Sequence, residues 1–187
     1  MNKKVYQEVK EQALKYYKEA NIVLTPEEVE RIEVADFGLN DIYRIGLESV
    51  VYINTDRCCA KEMVLLPHQT CPEHLHPSVG YNYEGKEETF RCRKGEVYLY
   101  VEGVPTEDIK AKLLPEQPGF TVFHEICLKE GEQYTLYPNT RHWFQAGREG
   151  AVISEFSTHC YDEYDIFTDD RITRMPVIEE YNMPIVF

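Results

Sequence analysis

The sequence predicts an all-β fold with short N-terminal helices. From about residue 42 to residue 157, short runs rich in Val, Ile, Tyr, Phe and Thr follow one another, punctuated by Gly, Pro and Asn. No helical periodicity separates these runs, and many evenly spaced short strands are typical of an antiparallel sandwich or barrel. A chain of 187 residues suits one compact domain. We therefore expect a single domain over 1–187, with a helical segment at 1–40, a barrel at 42–157 and a C-terminal extension at 158–187.

Two helices are expected ahead of the strands. Over residues 3–20, apolar side chains recur at spacings of three and four, as on one face of a helix: Val5, Val9, Ala13, Tyr16 and Tyr17. A second helix begins in "LTPEEVERI", where Thr25 suits the N-cap, Pro26 the first helical position and Glu28 the capping box. We expect both helices to cover one edge or end of the domain.

Later segments are less regular. "RKGEVYLYVEG" is interpreted as a hairpin with its turn at Lys94 and Gly95, and its alternation predicts two faces, Val97, Leu99 and Val101 on one and Tyr98, Tyr100 and Glu102 on the other. Residues 103–120 are Pro-rich and predict a surface excursion. The stretch that begins at Tyr161, including "YDIFTDDRITRMP", has weak strand signals and is expected to cap the barrel mouth or to pack on a partner subunit.

The charge and the apolar pattern exclude some partners. The formal net charge is −13, from 33 acidic and 20 basic side chains, and an acidic surface repels phosphate backbones. A nucleic-acid partner is therefore not expected. No stretch approaches the roughly 18 apolar residues of a membrane span, so no membrane partner is expected either. The N-terminus has no apolar run after its lysines, which argues against a signal peptide.

The six cysteines form no repeated CxxC spacing. In a chain of this size without a secretion signal they are interpreted as reduced thiols of a cytoplasmic protein. "CPEH" resembles half of a zinc knuckle, but no second half with matching spacing exists, so a structural zinc site is not expected.

One stretch carries chemistry. "HQTCPEHLHP" holds three of the six histidines, and His74 and His76 stand two apart, so on a strand they point to the same face. Glu88 stands on the next predicted strand, and His142 lies just inside a strand after the Pro-Asn turn of "YPNTRHWF". Three imidazoles and one carboxylate suit Mn(II), Fe(II), Co(II), Ni(II) or Zn(II) and leave positions open for substrate.

This spacing resembles the two motifs of the cupins, H-x-H … E-x6-G and P-(few)-H. The resemblance implies a cupin jelly-roll barrel. Two departures stand out: "PSVGYNYEGKE" must form an inserted loop between His76 and Glu88, and the segment from Pro138 to His142 lacks the usual glycine. Glu87 is therefore an alternative ligand, although the E-x6-G count favours Glu88.

Longer strings sharpen the resemblance. "VYINTDRCCAKEMVLLPHQTCPEHLHP", "GKEETFRCRKGEVYLYVEG", "YPNTRHWFQAG" and "DIFTDDRI" are similar to the cupin-type D-lyxose isomerases, and the similarity runs over nearly the whole chain. It implies an aldose–ketose isomerase that interconverts D-lyxose and D-xylulose, and usually D-mannose and D-fructose. The implied metal is Mn(II), with Co(II), Fe(II), Ni(II) or Zn(II) as alternatives, and the implied assembly is a homodimer.

Such a reaction moves a proton between C2 and C1 through a metal-stabilised cis-enediol or enediolate, and it needs a general base. Glu155, in "VISEFS", is our candidate, because it is a lone carboxylate in an otherwise apolar or small strand. Lys61, in "CAKEMVLLP", is a candidate to stabilise an oxyanion or to hold a sugar hydroxyl. Asp165, in "YDIFTDD", and Glu155 are also candidates to bind the substrate. The alternative for all three is a solvent-facing position.

Other residues suit structural roles. His68, His124 and His159 are expected to be surface or structural histidines. Of Trp143 and Phe144, one should face the core, and the other would wall the pocket or an interface.

Two other functions remain open at this point. An Fe(II) cupin dioxygenase uses the same kind of ligands but consumes O₂. A non-catalytic sugar-binding cupin would bind sugar without exchanging its C2 proton with solvent.

Overall fold

The protein is built on one antiparallel sheet. A computed structural model describes residues 1–114, 119–174 and 178, and every pairing between the strands of this part is antiparallel. The expected all-β fold with N-terminal helices is thereby confirmed. The helices are α1 (Lys3–Glu19), α2 (Pro26–Glu30) and a 3₁₀ turn (Asp162–Tyr164). The strands are β1 (Glu33–Ala35), β2 (Leu47–Asn54), β3 (Cys59–Leu65), β4 (Thr70–Leu75), β5 (Glu88–Val101), β6 (His124–Lys129), β7 (Gln133–Leu136), β8 (His142–Ser157) and β9 (Ile166–Phe167).

The two long strands β5 and β8 set the shape of the sheet. They pair along almost their whole lengths, from Glu88 opposite Ser157 to Val101 opposite His142. Glu88 and His142 thus stand at opposite ends of a ladder that would span about 40 Å if it were straight. Their side chains nevertheless lie 3.1 Å apart, from Glu88 Oε1 to His142 Nε2. The sheet therefore curls back on itself and brings the ends of the ladder to one place.

Two β-bulges interrupt the middle of β5. Its register against β8 shifts between Cys92 and Lys94 and again between Gly95 and Val97. Gly95 has φ +79°, and a Cβ at this position would lie 2.1 Å from the Gly150 carbonyl oxygen. The predicted hairpin with a turn at Lys94 and Gly95 is wrong, because the chain continues as one bulged strand. The predicted common face of Val97, Leu99 and Val101 is confirmed, since all three belong to the barrel core.

Helix α1 packs on the outer face of the sheet. Its apolar side chains contact buried residues of β2, β3 and β8, so the helix covers a face rather than the edge or end that we expected. The contacting residues are Val9, Ala13, Tyr17, Val50, Val64 and Val152. The capping box of α2 is confirmed, with Glu28 N–H donating to Thr25 Oγ1 and Thr25 N–H donating to Glu28 Oε2.

The Pro-rich excursion covers a second outer face. Its described residues, 103–114 and 119–120, form no helix or strand, as expected, and 115–118 lie outside the described residues. Just after the excursion, the Val122 carbonyl accepts a hydrogen bond from Trp143 Nε1 at 2.7 Å. Trp143 in turn stacks on Tyr100, with ring centroids 3.9 Å apart.

The C-terminal segment lies across one end of the barrel. Strand β9 pairs with β4 at His74 and Leu75, so the described part of this segment closes that end of the barrel. This agrees with the first of the two expected arrangements, in which the segment caps the barrel mouth. Residues 175–177 and 179–187 of the predicted extension lie outside the described residues. None of the described helices has both the length and the apolar character that a membrane span requires.

Candidate metal and active site

Three imidazoles meet at the end of the barrel that β9 closes. His74 is on β4, His76 follows directly after β4, and His142 begins β8, where it pairs with His74. One ring nitrogen from each lies within 4.8 Å of the others, and all three residues are buried. The structure thus brings together the histidines that the sequence proposed as metal ligands.

The three rings are held in the same tautomer. Each Nδ1 has an acceptor within hydrogen-bond distance, which places the ring proton on Nδ1 and leaves the Nε2 lone pair free. The acceptors are the Pro72 carbonyl for His74 (2.8 Å), the Thr140 carbonyl for His142 (3.0 Å) and the Asp165 carboxylate for His76 (2.5 Å). This arrangement is the usual support of metal-binding histidines.

Glu88 completes the set. Its Oε1 lies 3.2 Å from His76 Nε2 and 3.1 Å from His142 Nε2. Within the described part of the chain these three atoms are buried without a hydrogen-bond partner. Buried polar atoms are rarely left unpaired, and three electron-pair donors facing one another fit a divalent cation.

The alternative ligand, Glu87, is placed elsewhere. Its side chain is exposed, and its backbone N–H donates to Thr158 Oγ1. The residue count in the motif and the position of the carboxylate therefore both favour Glu88. The intervening loop, residues 77–87, is irregular as expected, and Gly85, with φ +113°, returns it to the His76 carbonyl, where a Cβ would lie 2.7 Å away.

The electrostatics suit cation binding. Burial alone would raise the pKa of Glu88, but the Lys86 ammonium outweighs it and holds the pKa well below its usual range. Burial and the neighbouring His142 hold the pKa of His74 well below its usual range. At neutral pH the site thus presents an ionised carboxylate beside a neutral imidazole.

Lys86 is a site residue that the sequence analysis missed. Its buried Nζ lies 2.7 Å from Glu88 Oε2 and 2.6 Å from Glu155 Oε1, so it joins the candidate ligand to the candidate base. Glu155 and Glu88 outweigh burial and raise the pKa of Lys86 well above its usual range, which keeps the ammonium charged. Lys86 lies in the irregular loop, where no strand alternation signals which side chains point inward.

Glu155 and Lys61 both point into the barrel. They are directly opposite on β8 and β3, with Lys61 Nζ 3.8 Å from Glu155 Oε1. Glu155 is 2% exposed and Lys61 6%, whereas the next residue on β8, Phe156, is 51% exposed. The solvent-facing alternative is therefore wrong for both residues.

Asp165 is at the site, but it faces a histidine. Its carboxylate accepts a hydrogen bond from His76 Nδ1, and it lines the cavity that Lys61 and Glu155 also line. This placement makes it an orienting group for a candidate ligand, and its expected contact with the sugar stays a prediction. Asp162, which the sequence did not single out, lies 3.6 Å from Lys61 Nζ.

A cavity connects these groups, with Lys61, Lys86 and Glu155 among the residues that line it. Phe144 lines it, whereas Trp143 lies in the separate cluster under the excursion. The other three histidines lie outside it and have contacts of their own. His68 Nε2 lies 3.1 Å from Lys112 Nζ, His124 Nδ1 3.0 Å from the Val104 carbonyl, and His159 Nδ1 2.6 Å from the Thr55 carbonyl.

A curled antiparallel barrel that gathers three histidines and a glutamate at one end defines a cupin. Comparison with known proteins narrows the class. A family model described as D-lyxose isomerase matches residues 106–187. A D-lyxose ketol-isomerase of Cohnella laeviribosi is 57% identical over 93% of this chain and 96% of that protein. A D-lyxose/D-mannose isomerase of Thermosediminibacter oceani is 58% identical over 96% of this chain and 99% of that protein.

The chain belongs to the D-lyxose isomerase family. More than half of the residues are identical to those of these relatives over nearly their full length. This confirms the family that the sequence resembles, and it confirms the prediction that the protein is an enzyme of this family.

Solved structures confirm the fold. The L-ribose isomerase of Cellulomonas parahominis superposes with a TM-score of 0.73, at 15% identity over 95% of this chain and 98% of that chain. The L-ribose isomerase of Acinetobacter sp. DL28, solved in complex with L-ribose, gives a TM-score of 0.72 at 15% identity, over 92% of this chain and 94% of that chain. Likeness at this identity concerns the fold alone, and it agrees with the expected cupin jelly roll.

Proposed function

We propose that the protein interconverts D-lyxose and D-xylulose, and also D-mannose and D-fructose, with a divalent metal, Mn(II) in preference to Co(II), Fe(II), Ni(II) or Zn(II). One observation supports the proposal most strongly: a single side chain, that of Lys86, joins the candidate metal ligands to the candidate general base. Lys86 Nζ contacts both Glu88, beside the three imidazoles, and Glu155, which faces the cavity. The names of the relatives support the choice of sugars.

His74, His76, Glu88 and His142 would hold the metal. Bound there, a divalent ion acts as a Lewis acid that offsets negative charge on the oxygens at C1 and C2 of the sugar. The first three ligands come from β4, the residue after it and the start of β5, and the fourth from the start of β8. The rest of the chemistry falls to the protein side chains.

Glu155 is the proposed general base. Its hydrogen bonds and ion pairs within the described residues go to Oε1, from Lys86, Lys61 and Ser157. Oε2 is therefore the atom that takes the proton from one carbon of the sugar and returns it to the neighbouring carbon. Because both ends of the transfer lie on adjacent carbons, one carboxylate serves both steps.

Lys61 and Lys86 are proposed to stabilise the enediolate. Glu155 and Asp162 outweigh burial and raise the pKa of Lys61, so this ammonium stays charged, as that of Lys86 does. Two buried cations beside the cavity favour the state in which negative charge develops on the sugar oxygens. Asp165 keeps His76 in the orientation that ligation needs.

The decisive experiment is incubation of the purified protein with Mn(II) and D-lyxose in D₂O. We expect D-xylulose with deuterium at the carbon that receives the proton, and loss of turnover on addition of EDTA. Oxygen uptake would instead identify a dioxygenase, and sugar binding without exchange of the C2 proton would identify a binding protein. Either outcome overturns the proposal.

We also propose a homodimer in the cytoplasm. The family resemblance implies the dimer, and the six free cysteines suit a reducing compartment. Light scattering on the purified protein tests the assembly, for which a monomer mass is the contrary result. Fractionation of the source cells tests the location.

A further inference from the structure

Two thiols lie directly behind the cavity wall. Cys59 and Cys160 are both buried, and both are free. Their sulfur atoms and a carboxylate oxygen of Glu155 all lie within 4.8 Å of one another. Nothing in the proposed reaction uses these thiols.

The fold places the pair through Asn54. Cys59 begins β3, where it pairs with Asn54 of β2. The Asn54 side chain then holds the backbone of Cys160, donating from Nδ2 to the Cys160 carbonyl and accepting from the Cys160 N–H, both at 3.0 Å. Cys160 itself belongs to no strand. One thiol is thus on a strand, and its neighbour is on the irregular segment after β8.

Cys160 also contacts the active site. Lys61 Nζ donates to Cys160 Sγ at 3.2 Å, and the Cys160 thiol donates to Asp162 Oδ1 at 2.6 Å. The sulfur therefore sits between two charged groups that line the cavity. If the sulfur moved toward Cys59, Lys61 would lose one of the contacts that fix its ammonium.

The surroundings favour thiol oxidation over metal binding. Lys61 and Lys86 both contact Glu155 Oε1, and Lys61 also donates to Cys160 Sγ, so atoms that would ligate a metal in this cluster already have partners. The neighbouring Cys160 and the Lys61 ammonium lower the pKa of Cys59 to about 7, against burial. A thiol with this pKa is substantially ionised at neutral pH, and the thiolate is the reactive form.

We propose that Cys59 and Cys160 form a reversible disulfide with a peroxide as oxidant, and that this bond lowers turnover by withdrawing the sulfur from Lys61. The peroxide oxidises one thiol to a sulfenic acid, its O–O bond breaks and one water leaves. The second thiol attacks the sulfenic sulfur, the S–S bond forms and the second water leaves. Both sulfurs are oxidised and both peroxide oxygens are reduced. The effect on turnover rests on the proposed function of Lys61, whereas the disulfide does not.

The test is hydrogen peroxide treatment of the Mn(II)-loaded protein, followed by alkylation of free thiols and peptide mass analysis. We expect a Cys59–Cys160 cross-link, a fall in D-lyxose turnover of about tenfold or more, and recovery with dithiothreitol. Cys59→Ser should resist the loss while keeping its basal turnover. Cys58→Ser, which removes the exposed neighbouring thiol, is the matched control and should still form the cross-link and lose turnover.

Absence of the cross-link in the folded protein, or a cross-link that leaves turnover unchanged, overturns the inference. If the reduced protein turns over no sugar, the proposed function fails, and the peptide analysis still decides whether the disulfide forms.

Discussion

At the scale of single residues, Glu155 is the side chain whose chemistry matters most. Glu155→Gln keeps the shape and the burial but removes the basic oxygen. We expect turnover of D-lyxose to fall about 10²- to 10⁴-fold, the usual contribution of a general base, with metal content unchanged. Metal content by elemental analysis and turnover by sugar assay check this expectation.

The matched control is Glu149→Gln, an exposed carboxylate on the same strand. It should leave both metal content and turnover as they are. Loss of metal from Glu155→Gln would contradict our assignment, since it would place Glu155 among the ligands or their supports.

Glu88 and Glu87 form a natural pair of variants. Glu88→Gln replaces a buried carboxylate that faces two imidazoles, whereas Glu87→Gln changes an exposed one. We expect Mn(II) affinity to fall about 10- to 100-fold or more for Glu88→Gln and to stay unchanged for Glu87→Gln. Isothermal titration calorimetry with Mn(II) measures both, and the reverse order would make Glu87 the ligand.

Glu48 predicts a pH dependence of stability. It is fully buried under α1, where Gln69 donates to its Oε1, and burial outweighs this hydrogen bond and raises its pKa from 4.5 to about 8. Because the folded pKa lies above the unfolded one, the contribution of this group is fully present below pH 4.5 and is lost as the pH rises toward 8. The loss is about 1.4 kcal/mol for each unit of pKa difference.

Glu48→Gln removes this titration. Urea unfolding at pH 5, 7 and 9 should show the free energy of unfolding of the wild type falling relative to that of the variant as the pH rises. Parallel pH profiles of the two proteins would show that Glu48 does not titrate in this range.

The sequence identified those site residues that a strand pattern reveals. His74 and His76 share a face because they stand two apart, and Glu155 is conspicuous as a lone carboxylate in an apolar strand. Lys86 has no such signal. It lies in an irregular loop, and only the tertiary fold brings its ammonium between Glu88 and Glu155.

At the scale of elements, the bulge of β5 at Gly95 depends on a residue without a side chain. Gly95 has φ +79°, and its Cα lies against the Gly150 carbonyl. Gly95→Ala would add a Cβ 2.1 Å from that oxygen, so backbone must shift in both strands. We expect a loss of about 3 kcal/mol in the free energy of unfolding, or failure to fold.

Gly119→Ala is the control for this prediction, since a Cβ there meets nothing within 4 Å among the described residues. It should change the free energy of unfolding by no more than about 0.5 kcal/mol in urea titrations. Equal stability of Gly95→Ala and Gly119→Ala would mean that the bulge does not depend on a glycine at 95.

The same element shows why a sequence predicts strands better than their connections. "RKGEVYLYVEG" has the alternation of a strand on both sides of Lys94 and Gly95, and a Lys-Gly pair suits a turn as well as a bulge. What decides between them is the partner strand. Gly150 on β8 accepts the close approach of Gly95, and this contact between distant residues leaves no local signal.

At the scale of the whole molecule, the curled sheet brings the two ends of the β5–β8 ladder together. Glu88 and His142 stand at opposite ends of the β5–β8 ladder, and the donor set forms only when the sheet is fully folded. An unfolded chain has no such arrangement, so a metal that binds this set binds the folded state alone. Metal binding must therefore stabilise the fold.

This linkage gives a prediction that needs no substrate. At a free Mn(II) concentration of 100 times the dissociation constant, the free energy of unfolding should rise by about 2.7 kcal/mol over the EDTA-treated protein. For a chain of this size that corresponds to a rise of about 5–10 °C in the midpoint of thermal unfolding, which calorimetry measures. The midpoint should keep rising with the logarithm of the metal concentration. Glu88→Gln, which lacks one donor, should show a smaller rise at each concentration. A midpoint that does not respond to Mn(II), or that responds equally in Glu88→Gln, would mean that the buried Nε2 and Oε1 atoms are not a metal site.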